Sequence, residues 1–352
     1  MNDATHVSET IRDYYAHVLQ SRRDLKTSAC CTAESLPAPL RETVRQLHPE
    51  VTGRFYGCGS PIPPALTGLT LLDLGCGSGR DCYLLSKLAG PRGRVIGVDM
   101  TAEQLAVARR HRDYHAKAFG YTRSNVEFHE GYIEDLEALG IENDSVDAVI
   151  SNCVINLSPD KPRVFREIFR VLKPGGELYF SDVFAGRRVP AELARDPVLL
   201  GECLGGALYI EDFRRLLQAA GCADARVCAR TRLRLDNDDI ERRAGMIDFY
   251  SLTLRAFKLP LEDRCEDYGQ AAEYLGTLPQ HPHAFALDDH HLFETGRPRP
   301  VCGNTADMLS ATRYAPHFRV SGNKSRHFGL FNCDPVSAAD ASGSGARGLG
   351  CC

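Results

Sequence analysis

The chain contains no C-x-x-C pair, no long basic run and no uninterrupted apolar segment of the ~20 residues that a membrane-spanning helix requires. Without a close cysteine pair, a structural zinc site of the finger or ribbon type is not expected. Without a basic run, and with 42 Lys and Arg against 46 Asp and Glu for a net charge of −4, nucleic acid is not an expected partner. The absence of an apolar run excludes a spanning helix, and Met1 to His6 carry no basic leader ahead of an apolar stretch. A cytoplasmic protein without membrane association is therefore expected. Apolar content of 43% and charged content of 25% are ordinary for a globular protein, and 352 residues suffice for about two domains.

One residue type is abundant: 14 cysteines, with only Cys30-Cys31 and Cys351-Cys352 adjacent. In a large chain with no secretory leader these do not read as a disulfide framework. They are either ordinary small buried residues or soft ligands that the fold assembles into a site.

Between residues 69 and 182, strand patterns near 69–74, 94–99, 125–129, 145–152 and 176–182 alternate with helical patterns near 80–89, 102–119 and 159–172. Thr101 with Gln104 reads as a capping box, Ser158-Pro159 as an N-cap pair, and Lys173-Pro174-Gly175-Gly176 as a helix stop. Alternating βα units predict a doubly wound, mostly parallel α/β sheet of Rossmann-like type, with ligands at the carboxyl ends of its strands. Four segments are expected. Residues 1–60 form an N-terminal helical segment carrying Cys30 and Cys58, and residues 61–230 the main α/β domain. Residues 231–333 form a smaller α+β domain with strands in Phe249–Phe257 and His283–Leu287, and 334–352 a disordered Ala/Ser/Gly tail.

The most telling run is Leu71-Leu72-Asp73-Leu74-Gly75-Cys76-Gly77-Ser78-Gly79, a buried strand entering a turn where the backbone approaches a ligand. Twenty-odd residues on, Val95-Ile96-Gly97-Val98-Asp99 ends a second strand in a carboxylate, the placement that meets the ribose hydroxyls of an adenosine-containing cofactor. The glycines at 75, 77 and 79 depart from the G-x-G-x-x-G of dinucleotide folds, and Asp73 suits a cation better than a phosphate. S-adenosylmethionine, positively charged and free of phosphate, fits. An NAD-dependent oxidoreductase does not.

Three cysteines stand out. Cys153 lies in Ser151-Asn152-Cys153-Val154-Ile155-Asn156-Leu157 at the cofactor edge of the sheet. Cys203 lies in Gly201-Glu202-Cys203-Leu204-Gly205-Gly206-Ala207, and Cys58 sits between Gly57 and Gly59. Flanking glycines bury nothing, which argues against core filling at Cys58 and Cys203. Cys76, Cys82, Cys222 and Cys228 read as structural. Cys265, Cys302 and Cys333 are open to either reading.

Together these motifs, with Tyr56-Gly57-Cys58-Gly59, Asp24-Leu25-Lys26-Thr27-Ser28-Ala29-Cys30 and Gly131-Tyr132-Ile133-Glu134, resemble those of the arsenite methyltransferases. The likeness is strong over about residues 10–230 and weaker beyond. It implies methyl transfer from S-adenosylmethionine to trivalent arsenic held by Cys58, Cys153 and Cys203. It also implies a disulfide between Cys30 and Cys58 during turnover, reopened by a thiol reductant such as glutathione or thioredoxin. Arsenic(III) prefers thiolates, and its lone pair is a nucleophile that needs no general base.

The likeness further implies that Tyr56, Asp73, Gly75 and Gly77 hold the methionine end and Asp99 the ribose. Met100, Ile133 and Glu134 would frame the adenine, with Asn152 and Val154 completing the pocket. Met100 as plain core and Glu134 as a helix-start charge are the bland alternatives. Arsenite or a thiol conjugate is the expected substrate and a monomer the expected state. The rival readings are a C- or O-methyltransferase of a small organic molecule and a non-catalytic thiol protein that sequesters arsenite or a soft metal.

Overall fold

The structure, a computed structural model, describes residues 38–54, 57 and 59–333. Cys30, Tyr56, Cys58, the part of the expected N-terminal helical segment before residue 38 and the tail from residue 334 lie outside the described residues. The order begins α1 (Ala38–Arg45), α2 (Pro49–Gly53), β1 (Thr70–Leu74), α3 (Arg80–Ala89), β2 (Arg94–Asp99), α4 (Ala102–Arg110), α5 (Arg112–Phe119) and β3 (Val126–Glu130). It continues β4 (Val146–Asn152), α6 (Lys161–Val171), β5 (Leu172–Ala185), α7 (Ala191–Ala194), α8 (Pro197–Gly201), β6 (Leu208–Tyr209), α9 (Ile210–Ala219), β7 (Ala225–Arg232), α10 (Asp238–Ala244) and β8 (Phe249–Phe257). Last come β9 (Gln270–Tyr274), β10 (Ala284–Ala286), β11 (Leu292–Glu294), β12 (Arg299–Val301), α11 (Gly303–Ser310) and β13 (Phe318–Ser321).

Short β-branched and leucine-rich runs buried on both faces pair in parallel, because helices cover each face. The main sheet runs β3-β2-β1-β4-β5-β8-β7, with β6 paired to the end of β5. The first five strands are parallel, and β8 and β7 add antiparallel. One apolar layer packs Phe165, Ile168, Phe180 and Phe213 against one face, and another packs Leu71, Tyr83, Leu84 and Leu105 against the other. The order reverses between β1 and β4, which opens a crevice at their carboxyl ends. No helix among the described residues is long and apolar enough to cross a membrane.

Local expectations differ in four places. The helix expected over 102–119 is two, α4 and α5, which meet at His111 (φ −100°, ψ 12°). Thr101 caps α4 without a side-chain hydrogen bond; its own N–H is taken by Asp99 Oδ1 at 2.8 Å. The N-cap of α6 is Asp160, whose carboxylate accepts from Arg163 N at 3.0 Å, while Ser158 accepts from Asp160 N at 3.1 Å. Lys173 to Gly176 do not lie ahead of β5 but within it. Gly175 (φ +76°) is needed there because a Cβ would lie 2.6 Å from Ala311 O.

The strand Phe249–Phe257, expected in the smaller unit, is β8 of the main sheet, paired with β5 from Glu177↔Phe257 to Ala185↔Phe249. The smaller unit proper is the sheet β12-β9-β13, the hairpin β10-β11 and α11, around Tyr274, Phe285, Tyr314 and Phe318. Glu177, fully buried in β5, ties it to the sheet. Arg255 Nε lies 2.8 Å away as a close ion pair, and Arg313 and Tyr314 also reach the carboxylate.

Candidate functional site

At the carboxyl ends of β1, β2 and β4 lies a cleft of about 1080 Å³, solvent mouth included. The glycine turn forms one wall. Gly75, Gly77 and Gly79 have φ of +70°, +51° and +86°, in the left-handed region that L side chains avoid. Gly75 also has no room for a side chain, since a Cβ would meet Val154 Cγ2 at 2.4 Å. The backbone N–H groups of Gly75 and Cys76 donate to Val98 O, and that of Gly77 to Asp99 Oδ2 at 2.8 Å. Asp99 Oδ1 takes Thr101 N. Burial holds this carboxyl above its ordinary pKa, and the backbone donors pull against that rise.

Asp73 at the end of β1 is 2% exposed and accepts from Cys82 Sγ at 3.2 Å. Burial, then the neighbouring Asp81, pushes its pKa well above the carboxylate range. Asn152 donates to Gly59 O at 2.9 Å and to Asp81 Oδ2 at 3.2 Å. Opposite, Ser158 Oγ donates to Glu134, and no helix starts at Glu134, so the helix-start alternative falls away. Ile133 is buried in the main core and Met100 packs against the apolar cluster around Cys153 and Cys203, and both also line the cleft. The described cofactor candidates therefore converge: Asp73, Gly75, Gly77, Asp99, Met100, Ile133, Glu134, Asn152 and Val154 all face one cleft. Sequence reasoning missed Gln104, Asp81 and Ser158, which line it too. Gln104 stands in the first turn of α4, directly after the strand that ends in Asp99, and that position is the sequence signal for it.

The cleft's chemistry suits a cationic, hydroxyl-bearing ligand. Its walls carry four carboxylates, those of Asp73, Asp81, Asp99 and Glu134. Gln104 Oε1 and Asn152 Oδ1 are buried acceptors with no donor among the described residues. An unmet buried acceptor calls for a donor such as an ammonium, amine or hydroxyl. S-adenosylmethionine supplies each of these, so the residues fit it.

Cys153 follows β4 directly, with φ +56° and its N–H bonded to Ser181 O at 2.9 Å. Cys203 ends α8's turn at φ +60°, with Sγ 3.5 Å from Cys153 O. Two non-glycine residues in left-handed backbone, meeting at one place, mark stored strain of the kind found at functional sites. Both are nonetheless buried, at 6% and 0% exposure, beside Leu199, Leu200 and Leu204. The expectation that glycine neighbours leave Cys203 outside a core is thus corrected. Gly206 instead permits close approach, since a Cβ there would fall 2.0 Å from Asn156 O.

Donor atoms of Cys153, Cys203 and Asp182 lie within 4.8 Å of one another. Cys153 is disulfide-bonded, and its partner is outside the described residues. Burial raises Asp182 to about 7, against hydrogen bonds from the backbone N–H groups of Val183 and Asn156. Burial likewise lowers Lys161 to about 8, and the charges of Asp182, Glu134 and Cys203 oppose that shift. Lys161 and Asp182 were not anticipated, because nothing local in the sequence brings them to the thiols. Cys76 and Cys222 are buried thiols pushed up to about 11 and about 12, as structural cysteines should be.

A family model described as a methyltransferase domain matches residues 66–221. The chain is 54% identical over 346 residues to an arsenite methyltransferase of Aquipseudomonas alcaligenes, covering 98% of this chain and 99% of that one. It is 42% identical over 317 residues to an arsenite methyltransferase of Mus musculus, covering 90% and 84%. Among solved structures, the crystal structure of an arsenic(III) S-adenosylmethionine methyltransferase from Chlamydomonas reinhardtii superposes with a TM-score of 0.82 at 49% identity. That match covers 84% of this chain and 99% of the other.

Proposed function

The chain belongs to the arsenite methyltransferase family, and from that membership we propose how its own residues carry the reaction. It methylates arsenite at the expense of S-adenosylmethionine, which supplies an electrophilic methyl carbon when bound. Asp99 receives the ribose hydroxyls with the lone pairs that Gly77 and Thr101 leave open. The acceptors of Asn152 and Gln104, with Asp73 and Tyr56, take the ammonium and amine groups. Gly75 and Gly77 let the backbone close against the methionine end, Met100, Ile133 and Glu134 frame the adenine, and Val154 completes the wall.

Once an external thiol has reduced the disulfide of Cys153, the thiols of Cys153, Cys203 and Cys58 hold the arsenic substrate as three thiolates and leave its lone pair as the nucleophile. Arsenite enters as the trihydroxide: three As–S bonds form, three As–O bonds break, and three waters leave with the thiol protons. Asp182 and Lys161, both shifted toward neutrality beside the thiols, relay those protons. Positioning and exclusion of water then carry the catalysis, an effect worth roughly 7–11 kcal/mol in well-oriented systems. Methylation takes two electrons from arsenic, and a cysteine pair that includes Cys30 returns them by closing a disulfide. An external thiol, glutathione or thioredoxin, reopens it.

The chain works as one cytoplasmic monomer. The observation that carries this reading is the buried meeting of Cys153, Cys203 and Asp182, of which Cys153 also lines the acid-lined cleft. The test is methylation of arsenite with labelled S-adenosylmethionine and a thiol reductant, arsenic species being resolved by chromatography. Cys203→Ser is expected to abolish product while S-adenosylmethionine binding persists. Retained methylation would remove Cys203 from the site.

A further inference from the structure

A second group of three cysteines lies in the smaller unit, remote in sequence from the cleft. Cys265 follows β8, Cys302 is the N-cap of α11, and Cys333 follows the last described bridge. Their sulfur atoms all lie within 4.8 Å of one another, and none of the three is disulfide-bonded. Backbone pairing brings them together: Phe331 N donates to Cys265 O at 2.8 Å, Phe328 N to Asp267 O at 2.8 Å, and Gly303 N to Glu266 O at 2.9 Å. Two segments and a helix start are thereby fixed around one point.

The surroundings favour negative charge on sulfur. Cys302 Sγ accepts from Thr305 N at 3.5 Å, at the positive end of α11, and lies 3.3 Å from Thr305 Oγ1. Arg226, 3% exposed, places Nη2 3.8 Å from the same sulfur. Arg226 is itself fixed by Asp224 at 2.7 and 2.8 Å and by Asp288 at 3.2 Å. Cys265 and Cys302 are buried, whereas Cys333 is only half-buried and faces a cavity of about 530 Å³ that also touches His290, His291 and Arg299. The group has buried donors on one side and an entrance on the other.

We propose that Cys265, Cys302 and Cys333 form a second thiolate site that takes a three-coordinate thiophilic ion, trivalent arsenic. Three sulfurs suit a soft ion, and among the described residues no fourth His, Cys, Asp or Glu joins their group. A structural zinc ion wants four ligands, whereas arsenic(III) binds three and keeps a lone pair on the fourth side. Uptake balances without a redox step: three thiols and As(OH)3 give three As–S bonds and three waters. The choice of arsenic rests on the family's substrate; the clustering of the thiols does not. The site gives the chain a place to hold arsenic away from the methyl donor.

The test uses the full chain, reduced, stripped of metal and titrated with arsenite, with bound arsenic counted by elemental mass spectrometry. Cys302→Ala and, as the less buried alternative, Cys333→Ala are each expected to lose about one arsenic per chain relative to wild type. S-adenosylmethionine binding should persist in both and serves as the check of folding. Unchanged arsenic in the two variants overturns the proposal. Zinc that purifies with the protein at one ion per chain, disappears in Cys302→Ala and resists displacement by arsenite overturns the choice of ion. Failure of the cleft reading shows separately, as a Cys203→Ser protein that still methylates arsenite.

Discussion

Replacing Asp99 by Asn tests how the cleft holds the ribose, because it changes a charge and one acceptor while keeping volume. A carboxylate offers about four lone-pair sites. Gly77 N and Thr101 N, both at 2.8 Å, fill two of them and the Thr101 side chain also bonds the carboxylate, so a ligand hydroxyl takes what remains. An amide keeps one oxygen, so its Nδ2 must face either a backbone N–H or a hydroxyl that had been donating. The loss is at least one hydrogen bond to a charged acceptor, about 1.5–3 kcal/mol. At 1.4 kcal/mol per factor of ten, the dissociation constant for S-adenosylmethionine should rise roughly 10- to 100-fold. Calorimetric titration with S-adenosylmethionine and with its demethylated product reads this directly, and arsenite binding to the apoprotein should not change. An unaltered dissociation constant would refute the ribose assignment. Equal weakening of both ligands would mean that the glycine turn itself had moved.

Gly75→Ala places a Cβ 2.4 Å from Val154 at φ +70°, so it should weaken S-adenosylmethionine binding at least about tenfold and cost roughly 1–2 kcal/mol in backbone strain alone, measured by titration and urea unfolding. Glu177→Gln leaves buried Arg255 and Arg313 without their counter-charge; about 3–5 kcal/mol should be lost, and a change below about 1 kcal/mol would show that the ion group does not tie the smaller unit to the sheet. Asp182, raised to about 7, binds its proton more tightly folded than unfolded, so its contribution to stability is fully present below about pH 4 and is lost as pH rises through about 7. Asp182→Asn should therefore flatten the pH dependence of unfolding between those values, by about 4 kcal/mol at most; an unchanged slope would place that carboxyl's titration elsewhere.

The βα rhythm was legible because each strand is a short apolar run and each helix carries a single apolar stripe, both local properties. Strands expected near 94–99 and 145–152 appear as Arg94–Asp99 and Val146–Asn152. The glycine turn was legible for the same reason, since left-handed backbone and close approach leave a residue-type signature at Gly75, Gly77 and Gly79. Caps were less legible. Thr101 does cap α4, but without a side-chain hydrogen bond, and Ser158 yields the N-cap of α6 to Asp160 and donates to Glu134 of another segment instead. The position of Phe249–Phe257 in the main sheet was not legible, because an alternating strand says nothing of which neighbour it will pair with.

By itself, then, the sequence determined the parallel α/β scaffold, the cleft at its carboxyl edge, the acid at the end of β2 that lines it and the motifs of the family. Those depend on spacing within about thirty residues, over which backbone geometry is set by local sterics and hydrogen bonding. Only the tertiary structure decided which thiols meet. Cys153 and Cys203 are fifty residues apart, yet Sγ of one lies 3.5 Å from the carbonyl of the other, beside Asp182 and Lys161. Cys265, Cys302 and Cys333 likewise stay separate in the chain until three backbone pairings join them. Such long-range convergence is fixed by the packing of whole elements, and no pattern in a single stretch of sequence encodes it.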